Sequence, residues 1–199
     1  MIERILERTL LLFLSSGFSK TNTDDISSHI GISKRTLYRY FETKEKLIDA
    51  VFSYMREKVK AKFDTVLSET TKEPFDRFKT LLFFVSDLGS KMSKSFAQDV
   101  EKARPDIYEM MKNFRRERIK SMTGLLKEAQ IKKQIRSDID PELAVDILLA
   151  TVDGILNPTY LANSKHSNLS AFEAIISIFL EGLEEKSKIS HYALREQAE

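Results

Sequence analysis

Lys34, Arg35 and Arg39 place three cations within seven residues that also hold Thr36, Tyr38 and Tyr40. Leu37 and Phe41, four residues apart, define the apolar face of a short helix, and the cations, hydroxyl and phenol of Lys34, Arg35, Thr36, Tyr38 and Arg39 fall largely off it. Such a mixture suits the major groove of DNA. Arg and Lys donate to guanine O6 and N7, and a Thr methyl meets the methyl of thymine. Lys34 and Arg35, in the first turn, are the candidate base readers, with Thr36 beside them; Arg39 is placed to reach the backbone of either strand. Residues 31–46 carry five cations against two carboxylates, a local +3, whereas the whole chain is only +2. The charge is a patch rather than that of a basic protein.

The flanking residues supply what would hold such a helix. Ser33 is an N-cap, and Gly31 before it is the turn residue expected to need positive φ. Upstream, Asn22 with Asp25 three residues later starts a helix from Thr23 to about His29, with Ile26 and Ile30 inward. The free amides that open it at Asn22 and Thr23 suit a phosphate. Ile5, Leu6, Thr9, Leu10, Leu12 and Phe13 recur at helical spacing over residues 2–15, and Gly17 ends that helix with Phe18 folding back on it. Leu11 and Leu14 widen the stripe, so at least one of them is expected to touch the second half of the chain. Thr43 caps a fourth helix, with Glu45 in its first turn. Helix, Gly-containing turn, helix is the helix-turn-helix arrangement.

Ile5-Leu6, Leu12-Phe13, Gly17-Phe18, Asp25-Ile26, Gly31-Ile32-Ser33, Thr36-Leu37-Tyr38, Tyr40-Phe41 and Lys44-Glu45 with Leu47 occur in an order and spacing that resembles the TetR-like family of bacterial transcriptional regulators. The likeness covers roughly residues 5–48 without a gap. Asn22 stands where the family usually has Ser or Thr, and Arg35 where it often has a small residue. The resemblance implies that Tyr38, Tyr40 and Lys44 grip phosphates or the groove wall. It also implies an all-α chain: a helix-turn-helix DNA-binding domain over residues 1–48, then a larger helical domain over 49–199 for effector binding and dimerisation.

Beyond residue 48 the pattern stays helical, and Gly (6) and Pro (4) are scarce enough to favour helices with short connections. The spacing predicts a fourth helix continuing to about Ser68 and another from Pro74 that Gly89 interrupts. A short helix near Ser95–Lys102 follows, then one long helix from Arg104-Pro105-Asp106 to about Lys132. Asp140-Pro141-Glu142 starts the next, which Pro158 should kink or end, and Ser170 with Glu173 reads as the capping box of the last. Both final helices are more apolar than one core needs. The resemblance implies that they pair with a twofold mate, with Leu148, Thr151, Val152, Ile155, Phe172, Ile176, Phe179 and Leu183 as interface candidates. It likewise places Phe78, Phe83, Met110, Met111, Phe114, Met122 and Tyr160 on helices around an effector cavity, and their character favours a hydrophobic or amphipathic small molecule. Aromatic and Met residues at this spacing also serve as plain core.

Composition excludes other classes. The 42% hydrophobic and 31% charged residues are those of an ordinary globular protein, and the absence of cysteine removes disulfides and thiolate metal sites. The run Leu10–Leu14 is too short for a signal or a membrane span, so a cytoplasmic protein is expected. His29, His166 and His191 are scattered without metal-ligand spacing, which argues against an enzyme; no cofactor is expected. The expected function is a homodimeric repressor on a palindromic double-stranded DNA operator, released by a small molecule. An activator of the same fold, or a helical interaction module without specific DNA binding, are the alternatives.

Overall fold

A computed structural model describes residues 1–155, 160 and 163–184, and among these there is no strand. Among the described residues ten helices are delimited: α1 Ile2–Ser16, α2 Thr23–Ile30, α3 Lys34–Tyr40, α4 Lys44–Ser68, α5 Pro74–Ser90, α6 Lys94–Ala103, α7 Pro105–Lys120, α8 Thr123–Ile131, α9 Pro141–Ile155 and α10 Asn168–Leu183. Pro158 and the tail after Glu184 lie outside the described residues.

Two apolar cores organise them. Ile5, Phe13, Ile26, Ile30 and Leu37 from α1–α3 meet Leu47, Val51 and Phe52 from the first half of α4. The second core joins the later half of α4 to α5, α8, α9 and α10 through Phe63, Phe78, Leu126, Val145 and Ile176. The expected boundary at residue 48 falls inside α4, which crosses it as one 25-residue helix. Packing on the first core also continues well beyond that boundary. Phe96 and Val100 of α6 and Ile107 of α7 join it, Phe96 stacking on Phe52 at 5.8 Å and meeting Phe18 edge-on at 6.3 Å. Leu14 is the member of its pair that turns inward, and its carbonyl accepts from the Ser93 N–H at 2.8 Å; Leu11 remains exposed.

A buried guanidinium ties the second core together. The Nε–H of Arg77 donates to the carbonyl of Val66 at 3.0 Å, a second nitrogen bonds to the Leu67 carbonyl, and Glu128 lies 3.5 Å away. The last carbonyls of α4 have no helical partner of their own, and a cation is the donor best suited to them.

Three expectations change. Gly89 does not interrupt α5, which runs on to Ser90; a Cβ there would overlap the ring of Phe172, so glycine permits α10 to press directly on α5. The long helix expected from residue 105 is two. At the break Ser121 Oγ donates to the Arg118 carbonyl at 2.6 Å and Thr123 Oγ1 to that of Lys120 at 2.8 Å, offering the backbone partners outside the helical ladder. Ile119, Met122, Leu125 and Leu126 stay buried across it, which is why the apolar spacing reads as continuous. Finally, α10 begins a turn earlier than the Ser170–Glu173 pattern implied. Ser167 is its N-cap, accepting from the Ser170 N–H at 3.1 Å.

Candidate nucleic-acid interface

The turn between α2 and α3 is built from backbone geometry. Gly31 takes φ 76 and ψ 44, the left-handed region open to a residue without a side chain. Its N–H and that of Ile32 both donate to the Ser27 carbonyl, at 2.9 and 3.0 Å. On the other side, Arg4 of α1 donates to the Ile30 carbonyl at 3.0 Å and Arg8 to that of His29 at 3.5 Å. Two arginines of α1 therefore cap the end of α2, a role their sequence positions did not disclose. Asn22 closes the other end: its side-chain oxygen accepts from Asp24 and Asp25 N–H, each at 2.8 Å, while Asp25 accepts from the Asn22 N–H at 3.0 Å.

On this support α3 needs few contacts of its own. It has seven residues, of which only Leu37 is fully buried; Ile32, Tyr40 and Phe41 pack partly against the first core. Ser33 Oγ accepts from the Thr36 N–H at 3.1 Å and shares a hydrogen with Thr36 Oγ1 at 2.8 Å, which leaves the Thr36 methyl as the group free for an apolar contact.

Lys34, Arg35, Tyr38 and Arg39 are exposed. Among the described residues Arg35 has no hydrogen bond or ion pair, so it extends without a competitor. Lys34 is different: its ammonium sits 2.8 Å from Asp24, and that hydrogen bond raises its pKa. The carboxylate must yield if Lys34 is to reach a base. Tyr38 OH lies 3.4 Å from Thr23 Oγ1, so the openings of α2 and α3 form one polar cluster. The Arg39 guanidinium lies over the Tyr40 ring at 5.4 Å, and Lys44 Nζ donates to the Ser19 carbonyl at 3.3 Å.

The cavity candidates separate. Between α4, α5, α6, α7 and α10 lies a cavity of about 130 Å³, and Met111 and Phe114 line it. Phe78 and Met122 are instead buried in the second core, Met110 lies in the groove between α4 and α7, and Phe83 is exposed. Tyr160 lines a shallow groove of about 250 Å³ between α9 and α10. Arg115 and Arg118 also line the cavity that holds Met111 and Phe114, where sequence reasoning anticipated no charge.

The interface candidates separate too. Leu148, Val152, Phe172, Ile176 and Leu183 turn into the chain's own core, and Thr151, Ile155 and Phe179 lie half-buried at its edge. The outward face belongs to Leu143 and Ile147 of α9 and Leu169 and Ile178 of α10, all more than half exposed or close to it. Both helices carry apolar residues on more than one face, so spacing alone does not tell the inner stripe from the outer. Among the described residues no helix is long and apolar enough to cross a membrane.

Residues 5–51 match the family described as bacterial regulatory proteins, tetR family. A Bacillus subtilis protein, the uncharacterized HTH-type transcriptional regulator YvaF, is 25% identical over 92% of this chain and 95% of its own length. The HTH-type transcriptional regulator UidR of Escherichia coli K12 is 27% identical over 77% and 78%. A TetR-family regulator from Agrobacterium tumefaciens superposes with a TM-score of 0.66 at 18% identity, covering 92% of this chain and 96% of that one. With a helix-turn-helix of this construction in its tetR-family segment and this helical body behind it, the chain is a DNA-binding regulator similar over most of its length to TetR-like transcriptional regulators.

Proposed function

We propose that the chain acts in the cytoplasm as a homodimeric repressor that binds a palindromic operator and is released by a small molecule. The observation that carries the dimer is the uncovered stripe of Leu143, Ile147 and Ile178 on α9 and α10. One α3 reads only a few base pairs, and twofold pairing sets two of them about 34–36 Å apart or further, matching successive major grooves. In this reading residues 1–48 read DNA and residues 49–199 pair and sense. Lys34, Arg35 and Thr36 contact base edges. Asn22, Thr23, Ser33, Tyr38, Arg39, Tyr40 and Lys44 hold phosphate or support the residues that do. The cavity behind Met111 and Phe114 receives the effector.

The test is to select binding sequences from a random DNA pool, then measure affinity for the selected site in a salt series. A palindromic site, bound by a species of twice the chain mass with log K falling linearly against log[salt], supports the reading. Absence of any selected sequence sinks it. Within the same assay Tyr38→Ala or Lys44→Ala should weaken binding by about 5–30-fold while the dimer mass is kept, each removing one backbone contact. Arg35→Ala should in addition relax the base preference at one position of each half-site.

A further inference from the structure

The wall of the cavity between α4, α5, α6, α7 and α10 combines methionine, aromatic and branched apolar side chains with guanidinium groups short of partners. Met55, Val59, Met92 and Met111 form much of the apolar surface, and Arg115 and Arg118 enter it from α7. Phe114, also on the wall, is flanked by two guanidinium groups, Arg56 and Arg118, each 5.5 Å from its ring centre. The Nε of Arg56, Arg115 and Arg118 are each buried without a hydrogen-bond partner.

The charges around this wall do not balance. Asp153 takes Arg115 at 2.5 Å and Arg116 at 3.8 Å, and Asp64 takes Lys60 at 3.0 Å and Arg118 at 3.9 Å. Two carboxylates thus serve four cations, and Arg56 has no carboxylate partner among the described residues. Arg118 is the least satisfied of the cations on the wall itself: its only carboxylate is distant and is held more closely by Lys60. A half-buried cation whose Nε is buried without a hydrogen bond, on the wall of an apolar space, is matched by an anion that brings its own hydrocarbon.

We propose that this cavity binds an amphipathic organic anion, a monocarboxylate on a slender hydrocarbon chain, with the carboxylate on Arg118 and Arg115 and the chain along the methionines and Phe114. The volume of about 130 Å³ is below that of sites for bulky ring systems, and three flexible Met side chains can part around a narrow chain. The inference takes the cavity as the effector site of the proposed regulator, but the binding claim stands or falls by itself.

Octanoate and octanol, alike in chain and different in charge, are the probes. Titration calorimetry on the full chain should give octanoate a Kd at least about tenfold below that of octanol, the value of one charge-assisted contact. Arg118→Met, which keeps the apolar stem, should cost octanoate about tenfold and leave octanol unchanged; Arg118→Lys should recover part of the loss. Equal affinities for acid and alcohol, no octanoate binding, or undiminished binding by Arg118→Met would each overturn the proposal. If Arg118→Met does not fold, the octanoate-to-octanol ratio on the unaltered chain and Arg118→Lys decide it. Operator binding is followed separately. Octanoate that binds through Arg118 yet leaves operator affinity unchanged upholds the site and removes the effector role; a chain that selects no DNA but binds octanoate in this way does the same.

Discussion

Replacing Ile178 by Asp should convert the proposed dimer to monomer at micromolar concentration and lower operator affinity by about 100-fold or more. Ile178 is 74% exposed on α10, near Ile147 of α9 at 52%, and both line the same shallow groove. Twofold pairing would bury the new carboxylate on each side against apolar surface with no cation to meet it. An uncompensated buried charge costs about 3–5 kcal/mol, and symmetry counts it twice. Because the residue is exposed in the single chain, the helical signal and melting behaviour of the monomer should survive. Leu148→Asp and Ile176→Asp provide the contrast: these residues are 1% and 6% exposed, so the charge would enter the chain's own core and unfold it. Sedimentation separates the cases. An Ile178→Asp chain that still sediments at twice its mass would place the pairing face elsewhere.

The second large effect is expected at Gly17. It ends α1 with φ 79 and ψ 174, a conformation essentially restricted to glycine. Directly beneath it Asp99 of α6 accepts from the N–H of Phe18 at 2.6 Å and of Ser19 at 2.8 Å. A methyl at Gly17 would occupy the place of that carboxylate oxygen and crowd the backbone of Ser95. Gly17→Ala therefore combines backbone strain of about 1–3 kcal/mol with damage to two charge-assisted hydrogen bonds worth about 1.5–3 kcal/mol each. A melting temperature lower by about 10 °C or more is expected for a chain of this size. Asp99→Ala removes the acceptor without the strain and should cost less. A change within about 2 °C for Gly17→Ala would show that the joint between α1 and α6 yields easily.

The parts of this architecture that could be read in advance are those fixed within a few residues. Asn22, Ser33 and Thr43 announce helix starts because each side chain accepts from an amide two or three residues on. Gly31 announces the turn because its positive φ favours glycine. The helix-turn-helix is built almost wholly from such devices, so it was legible down to single caps. Further along, the deciding partner is distant in sequence. Gly89 looks like a helix breaker until Phe172 is placed over it. Ile147 and Leu148 are neighbours of similar hydropathy, and only the packing of α9 on α7, α8 and α10 turns Leu148 in and Ile147 out. Nothing local marks Arg115 and Arg118 as lining a cavity, because the carboxylates that hold them, Asp153 of α9 and Asp64 of α4, are distant in sequence. Even Arg4 and Arg8, within the legible part, act on carbonyls more than 20 residues away.

Phe172 joins the cavity to the outer face of α10. Its ring lies on Gly89 and on the cavity wall, and its helix carries Ile178 on the opposite side. A molecule entering the proposed site would displace or brace this ring, and a second chain pairing on α10 would press on it from outside. Thermodynamic reciprocity then applies: the factor by which occupancy changes the strength of subunit pairing equals the factor by which pairing changes occupancy. Octanoate affinity measured at chain concentrations above and below the dimer dissociation constant should differ by that factor, and equal values would mean that the ring transmits nothing.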